Sequence, residues 1–525
     1  MFSPKLVVDD DDTDRSSCRS STPPTKSSPR SSICFEKPPY EKPPGQYHVF
    51  SLGKKRRCIY IISLAGLFSP LSSNIYFPAI GAISRDLDVK VSLIALTITI
   101  YMVIQGISPS FWGPLSDTRG RRLTFIGTFA IFLISNIGLA LTENFATLMV
   151  FRGIQAAGSA ATISVGSGVI GDISSPKERG GFVGIHGGLR QTGQSIGPVF
   201  GGLITHVLGF RAIFWVLFVM GSITLLLIIS FLPETLRSIA GDGTVRLHGI
   251  HKPLLYTLKG QPFVVDDQEV PSQPKLTLSS VVAPFCFLFE KDIFVTLFYG
   301  AIVYTVHSMV TSSTTAMLQP HFKLTDLQVG LVFLPNGAGV ILGSFFTGLL
   351  MDRDFRLYER RYRAKRHIPA ETKTSKYQDD FPIEHTRLRQ CGWIVALFVV
   401  ATGLYGYSLA LNNLVAPLVL QFLIAYTATA VFTSNSALIL DLYTGAAASA
   451  TAVNNLVRCS IGAGGVACVQ FIVDAIGAGP TYIGCAVLAA AFSPLLVLEW
   501  KFGGQWRVER TKKLANKGDK GRQVV

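Results

Sequence analysis

The sequence predicts an all-α membrane protein of twelve transmembrane helices, and three observations carry that prediction. Charged residues make up 15% of the 525 residues and hydrophobic ones 48%, whereas an ordinary soluble domain carries roughly 25% charged residues. About twelve mostly apolar stretches stand along the chain, each near the roughly 20 residues that a membrane helix needs. Lysine and arginine fall almost entirely in alternate connections between those stretches, which is how membrane orientation is written into a sequence.

Six of the stretches occupy the first half, at 58–80, 93–112, 123–141, 146–170, 182–206 and 212–232. Six occupy the second, at 293–317, 328–350, 392–411, 416–440, 450–476 and 481–500. The expected organisation is therefore a disordered cytosolic tail (1–57), a six-helix bundle (58–232), a cytosolic linker (233–292), a second six-helix bundle (293–500) with a long cytosolic loop (352–391), and a cytosolic tail (501–525). Residues 1–57 are rich in Ser, Pro and charge and include the run Asp9–Asp12, a composition that does not bury a core. No charged n-region and apolar h-region precede a cleavage site, so no signal peptide is expected.

With the N-terminus in the cytosol, 41 of the 48 basic residues fall on the cytosolic side. Four fall outside (Arg85, Lys90, Arg211, Lys323) and three within spans (Arg152, Arg190, Arg458). The net charge of +15 is thus a topology signal, not a surface for nucleic acid. The expectation is a multi-pass plasma-membrane protein with both termini cytosolic, monomeric, whose partners are the lipid bilayer and a small-molecule substrate. The eight cysteines are scattered, with no metal spacing and no disulfide framework. No metal or cofactor is expected, and no Asn-x-Ser/Thr sequon occurs.

Gly166, Gly168 and Gly171 spell GxGxxG, but they end an apolar helix instead of following a strand. Close helix packing explains them better than a dinucleotide does. No Walker A, HExxH or GxSxG sequence is present, and nothing points to an enzyme. Gly113 to Asp117 after the second span and Gly348 to Asp352 after the eighth repeat one spacing at equivalent places. That suggests two parallel-related bundles with a path between them near the midplane.

These residues reach a family. Gly113-Pro-Leu-Ser-Asp117-Thr-Arg-Gly120-Arg121-Arg122 resembles the G-x-L-x-D-R-x-G-R-R signature of the major facilitator superfamily, with Thr118 where the family has a basic residue. Arg152-Gly-Ile-Gln155-Ala-Ala-Gly158 is similar to its R-x-x-Q-G-x-G motif. Gly193-Gln-Ser-Ile-Gly197-Pro198-Val-Phe-Gly201-Gly202 matches the antiporter motif G-x-x-x-G-P-x-x-G-G. The segments 110–117, 169–174, 232–237, 351–356 and 450–458 resemble the fungal quinidine-resistance branch of the twelve-span drug:proton antiporters. That resemblance implies the major facilitator fold and export of amphipathic drugs, toxins or secondary metabolites by alternating access, with the proton as coupling ion. A uniporter or importer of amino acids or other metabolites on the same fold stays open, and so does a receptor without turnover.

The resemblance implies a gate at Gly113, Asp117, Gly120, Arg121 and Arg122. Asp117 could accept from backbone N–H groups at the start of the eleventh span, and the two arginines could pair with acids at the bundle interface. The plainer reading is a set of membrane anchors. Gly193, Gly197, Pro198, Gly201 and Gly202 are expected to make a kinked, closely packed pivot. Arg152, Gln155, Arg190, His307 and Arg458 are the candidates for intramembrane polar or coupling roles, since charge within a span is costly. Where related exporters have a first-span carboxylate, this chain has neutral Asn74. Asn74, Tyr76, Tyr101, Gln105, Gln191, Gln194, Asn336 and Asn435 are the candidate substrate contacts.

Overall fold

The computed structural model describes residues 48–174, 176–260, 288, 290–367, 381–442 and 447–522. Twelve principal helices follow in order: α1 (Leu52–Asn74), α2 (Val91–Arg119), α3 (Arg121–Ala140), α4 (Phe145–Ile173), α5 (Pro176–Leu208), α6 (Arg211–Phe231), α7 (Lys291–Phe322), α8 (Leu334–Arg366), α9 (Cys391–Tyr405), α10 (Val415–Leu442), α11 (Ala447–Ile476) and α12 (Ala478–Phe492). A further helix, α13 (Pro494–Arg522), continues from α12. Among the described residues ten helical segments are long and apolar enough to cross a membrane. The expected fifth span is the 33-residue α5, whose glycines and polar residues lower its hydropathy. The expected ninth is the 15-residue α9 followed by a 3₁₀ turn, Tyr407–Leu411.

Local chemistry sets the helix ends. Asn144 caps α4 by accepting from the Thr147 backbone at 2.9 Å, the usual use of Asn before a first turn. Gly120 separates α2 from α3 at φ 107°, a left-handed conformation that L side chains resist. Pro494 opens α13, where its missing N–H costs nothing.

Four of the expected tails and connections are more ordered than the sequence suggested. Residues 1–47 lie outside the described set, but Leu52–Arg57, assigned to the tail, form the first turns of α1. The expected loop 352–391 begins as helix, because α8 runs on to Arg366. Good helix formers carry it, with Glu359 and Arg363 paired one turn apart at 2.8 Å; residues 368–380 lie outside the described set. The tail 501–525 is helical as far as Arg522. The linker's first stretch, 233–260, folds against the first bundle: Val49 N–H donates to the Asp242 carbonyl at 3.1 Å. Lys54 Nζ lies over the Phe50 and Tyr256 rings at 3.8 and 4.8 Å.

Two apolar cores form, one filled mainly by the first half but taking in Val329, Phe333, Ala463 and Val466 of the second, the other within the second half. The first is built around Phe68, Phe125, Phe129 and Phe132, the second around Phe398, Tyr405, Val431 and Tyr482. The halves meet where α2 packs on α11 and where α5 packs on α8. At the end remote from Asp117 the contacts are tight. Phe77 stacks on Phe333 at 6.0 Å, and Thr315 Oγ1 donates to the Phe77 carbonyl at 2.9 Å. Ser195 Oγ donates to the Gly337 carbonyl at 3.0 Å, and Arg85 meets Asp326 at 3.4 Å near the surface.

Candidate substrate cavity and gating elements

A narrow cavity of about 70 Å3 lies between the halves, lined from α1, α2, α4, α5, α7 and α11. Of the eight candidate substrate contacts, Asn74, Gln105, Gln191 and Gln194 line it, together with Arg190, His307 and Arg458. Ser73, Tyr304, Ser308 and Thr311 also line it and were not singled out. Hydroxyls are frequent in spans, where they bond back to their own helix, so sequence alone does not mark which of them face a cavity.

The two cavity arginines are held differently. Arg458 Nη2 donates to Asn455 Oδ1 at 2.7 Å, and its guanidinium lies 4.5 Å from the Tyr304 ring and 4.6 Å from Phe432. Its buried Nε has no hydrogen-bond partner among the described residues. Asn455 Nδ2 in turn donates to the Gln105 carbonyl at 2.9 Å, tying α11 to α2. Arg190, one turn before Gln194, forms no ion pair or hydrogen bond with any described residue. Neither arginine faces a carboxylate among the described residues. Two guanidiniums on one cavity without a counter-ion make an electrostatic site for an anion. His307 is buried on the same wall, with Nδ1 unpartnered among the described residues.

The other four contacts belong elsewhere. Tyr76 and Tyr101 flank Arg152, their ring centres 4.2 and 4.4 Å from its guanidinium carbon. Arg152 is fully buried and donates to Gln155 Oε1 at 2.6 Å and to the Ser72 carbonyl at 3.2 Å. Gln155 Nε2 continues the chain to Asn136 Oδ1 at 2.8 Å. This network lies inside the first half, the cation–π pairing draws both tyrosines into it, and Arg152 Nε and Nη2 have no hydrogen-bond partner among the described residues. Asn336 and Asn435 face α7 within the second half, donating to Thr311 Oγ1 at 3.3 Å and to the Thr296 carbonyl at 3.2 Å.

The pivot glycines have a geometric reason. A Cβ on Gly193 would stand 2.7 Å from the Leu67 carbonyl oxygen, and one on Gly197 would stand 3.1 Å from the Ile75 nitrogen. A Cβ on Gly201 would enter the Ile75 carbonyl oxygen itself. The three form an i, i+4, i+8 stripe that lets α5 lie against α1. Gly202 faces the opposite half, where its Cβ would stand 2.7 Å from Gly330 Cα. Helix α5 is continuous through Pro198.

The loop between α2 and α3 is tied within the first half. Arg121 Nη1 pairs with Asp117 at 2.6 Å and Nε with Asp172 at 3.0 Å. Its guanidinium packs beside Gly168, where a Cβ would stand 2.5 Å from the Arg121 Cζ. Arg122 reaches carbonyl oxygens at the end of α6: Ile228 at 2.6 Å, Leu232 at 2.5 Å and Ile229 at 2.8 Å. The expected pairing of Arg121 and Arg122 across the bundle interface is thus replaced by these contacts, because acids and helix-end carbonyls of their own half are nearer. Gly113 has open space around it. Asp117, expected to accept from backbone N–H groups at the start of the eleventh span, is paired with Arg121 instead, and residues 443–446 just before α11 lie outside the described residues.

Glu234 completes this corner and was not singled out by sequence, since it lies beyond the sixth span. Its buried carboxylate accepts from the backbone N–H groups of Arg121 (2.9 Å), Arg122 (3.2 Å), Thr235 (2.9 Å) and Leu236 (3.0 Å), and His251 Nδ1 lies at 3.2 Å. Burial works against its ionisation, but the His251 contact and the backbone donors outweigh it and hold the carboxyl below its ordinary range. A depressed carboxyl stabilises above its unfolded value, about pH 4.3, and that stability is lost as pH falls through the lower folded value. Glu234→Gln is therefore expected to cost about 1–3 kcal/mol at neutral pH. The deficit should shrink below about pH 4, a trend measurable by thermal unfolding in detergent. An equal deficit at all pH values would show that the charge is not what stabilises.

Comparison with known proteins places the chain. The model of the Major Facilitator Superfamily matches residues 62–466. The chain is 53% identical over 481 residues to "Citrate exporter 1" of Aspergillus niger, covering 91% of each. It is 34% identical to "MFS-type transporter phiD" of Fungal sp. (strain ATCC 74256), covering 89% of this chain and 71% of that protein. It is 29% identical to "Probable transporter AQR1" of Saccharomyces cerevisiae, covering 89% and 80%. Among solved structures, the human organic anion transporter MFSD10 matches with a TM-score of 0.52 at 17% identity, covering 84% of this chain and 99% of that one. At that identity the likeness speaks for the fold alone.

Proposed function

Since the chain belongs to the Major Facilitator Superfamily and is a multi-pass membrane transporter and not an enzyme, we propose that it exports a small polycarboxylate anion such as citrate by alternating access. One observation carries the reading: Arg190 and Arg458 face one cavity between the halves, without a carboxylate partner among the described residues. Arginine's planar fork suits carboxylate groups, and the amides and hydroxyls of Gln191, Gln194, Asn74 and Ser308 complete a polar lining. The similarity to the Aspergillus citrate exporter supports the same class. An amphipathic cationic drug fits less well, because two guanidiniums repel it and, among the described residues, only Phe77 and Tyr304 offer aromatic faces in the cavity. In this reading the α1–α5 glycine stripe and the corner around Glu234 keep the first half rigid while it rocks against the second. The orientation follows the basic residues, with both termini cytosolic.

Proton antiport is the second reading, and His307 in the cavity wall favours it. Its electrostatics are less suitable for an anion. A proton on His307 adds to the field that attracts the anion, so proton and substrate bind together, whereas antiport needs them to compete. Uniport of the anion therefore fits the cavity better.

Counterflow in proteoliposomes tests this. Vesicles holding the purified protein and loaded with citrate are expected to accumulate labelled citrate, with inhibition by other tricarboxylates and not by a cationic dye. Absence of citrate flux, with transport of an amphipathic compound by the same vesicles, would overturn the substrate class. A flux that follows an imposed pH gradient in the wild type but not in His307→Gln would establish proton coupling.

A further inference from the structure

A second group of buried charges lies away from the cavity, where α13 packs on the start of α7 and on the short helix Ile383–Leu388. Asp292 and Glu384 are each 1% exposed, Glu499 is fully buried, and Arg510 is 6% exposed. Arg510 pairs with Asp292, and Arg507 Nε pairs with Glu384 at 3.3 Å. Those two pairs leave Glu499 over: neither of its carboxyl oxygens has a hydrogen-bond partner among the described residues. Gly503 leaves room for it, since a Cβ there would stand 2.7 Å from Glu499 Oε1 and 2.9 Å from Glu384 Cγ.

The surrounding charges do not offset the burial: Arg510 favours ionisation of Glu499 but is paired with Asp292, and Lys291 at the start of α7 is exposed. From α7 come Asp292 and, at its start, Glu290. From the short helix come Glu384, His385, whose ring lies against Trp500, and Arg387, which is engaged by Asp441 of α10 at 2.6 Å. From α13 itself come Lys501 and Glu509, both toward the surface, and the two paired arginines. An ionised carboxylate without a hydrogen-bonding partner is among the costliest groups to bury, and binding a proton is the cheaper outcome.

We propose that this cluster is a proton-binding site separate from the substrate cavity, with the proton on Glu499, and that the bound proton keeps α13 docked on the second half. Loss of the proton leaves three carboxylates facing two guanidiniums in a closed space, and the strain is relieved by moving α13 outward into water. The C-terminal helix thereby reads the pH on its own side of the membrane. The proposal does not depend on what the cavity carries.

Hydrogen exchange of residues 494–510 in the full-length protein in nanodiscs tests it, expressed as protection so that the intrinsic effect of pH is removed. Wild-type protection is expected to fall about tenfold or more between about pH 6 and about pH 9. Glu499→Gln, a neutral isostere, is expected to keep the low-pH protection throughout. Parallel curves for the two proteins, or no pH dependence in the wild type, would overturn the proposal. If the variant does not fold, the infrared spectrum of the wild type decides. A protonated-carboxyl stretch that disappears as α13 loses protection supports the site, and loss of protection without that band refutes it.

Discussion

Arg458→Gln is expected to weaken binding of a tricarboxylate about 10- to 100-fold without lowering thermal stability. A hydrogen bond to a charged group contributes about 1.5–3 kcal/mol, and each 1.4 kcal/mol is a factor of ten in affinity. Stability should hold or rise, because Arg458 pairs with no carboxylate among the described residues and repels Arg190 across the cavity. Removing one of two like charges relieves that repulsion. Arg458→Lys should fall between, since it keeps the charge but loses the fork and the stack on Tyr304 and Phe432. Counterflow at graded citrate concentrations, with melting curves on the same samples, reads both quantities. A variant that unfolds earlier and binds citrate normally would make Arg458 a structural residue. Arg152, enclosed by Tyr76 and Tyr101, is the contrasting case: it holds its half together and does not reach the cavity.

The second large effect is expected at Gly201. Its pro-Cβ direction points into the Ile75 carbonyl oxygen, so Gly201→Ala must push α5 off α1 along their whole contact. Overpacking of this kind costs about 1–3 kcal/mol, and here backbone faces backbone, with no side chain able to turn away. Gly188→Ala, in the same helix with nothing within 4 Å, is the matched control. It should be neutral or stabilise by about 0.5–1 kcal/mol, the usual helix preference of alanine over glycine. Thermal unfolding of the two variants side by side gives the comparison. Equal melting points would remove the close-packing explanation for the motif.

Much of the helical plan was legible, because hydropathy and basic asymmetry are signals summed over many residues. The ends of α8, α13 and α1 were less so, since hydropathy locates where lipid ends and not where the helix ends. At the site, residues with strong charge or an amide inside a span were found: Arg190, Arg458, His307, Gln191 and Gln194. Tyr76 and Tyr101 looked like cavity residues, and only the position of Arg152 between them shows why they are not. Asn336 and Asn435 lie on the helix faces turned toward α7, a rotation that spacing alone did not settle. Glu234 and Glu499 escaped notice for a different reason. Glu234 lies just beyond a span in sequence and Glu499 in the last turn of one, and only packing makes either a buried glutamate.

The pair of unneutralised guanidiniums has an electrical consequence. In the proposed cycle the empty cavity carries two positive charges past the barrier, and a bound tricarboxylate leaves it with one net negative charge. A cytosol-negative potential then favours both strokes, pushing the loaded site outward and drawing the empty one back. A full elementary charge crossing 100 mV is worth about 2.3 kcal/mol, so even fractional movement of these charges would let the membrane voltage power the export.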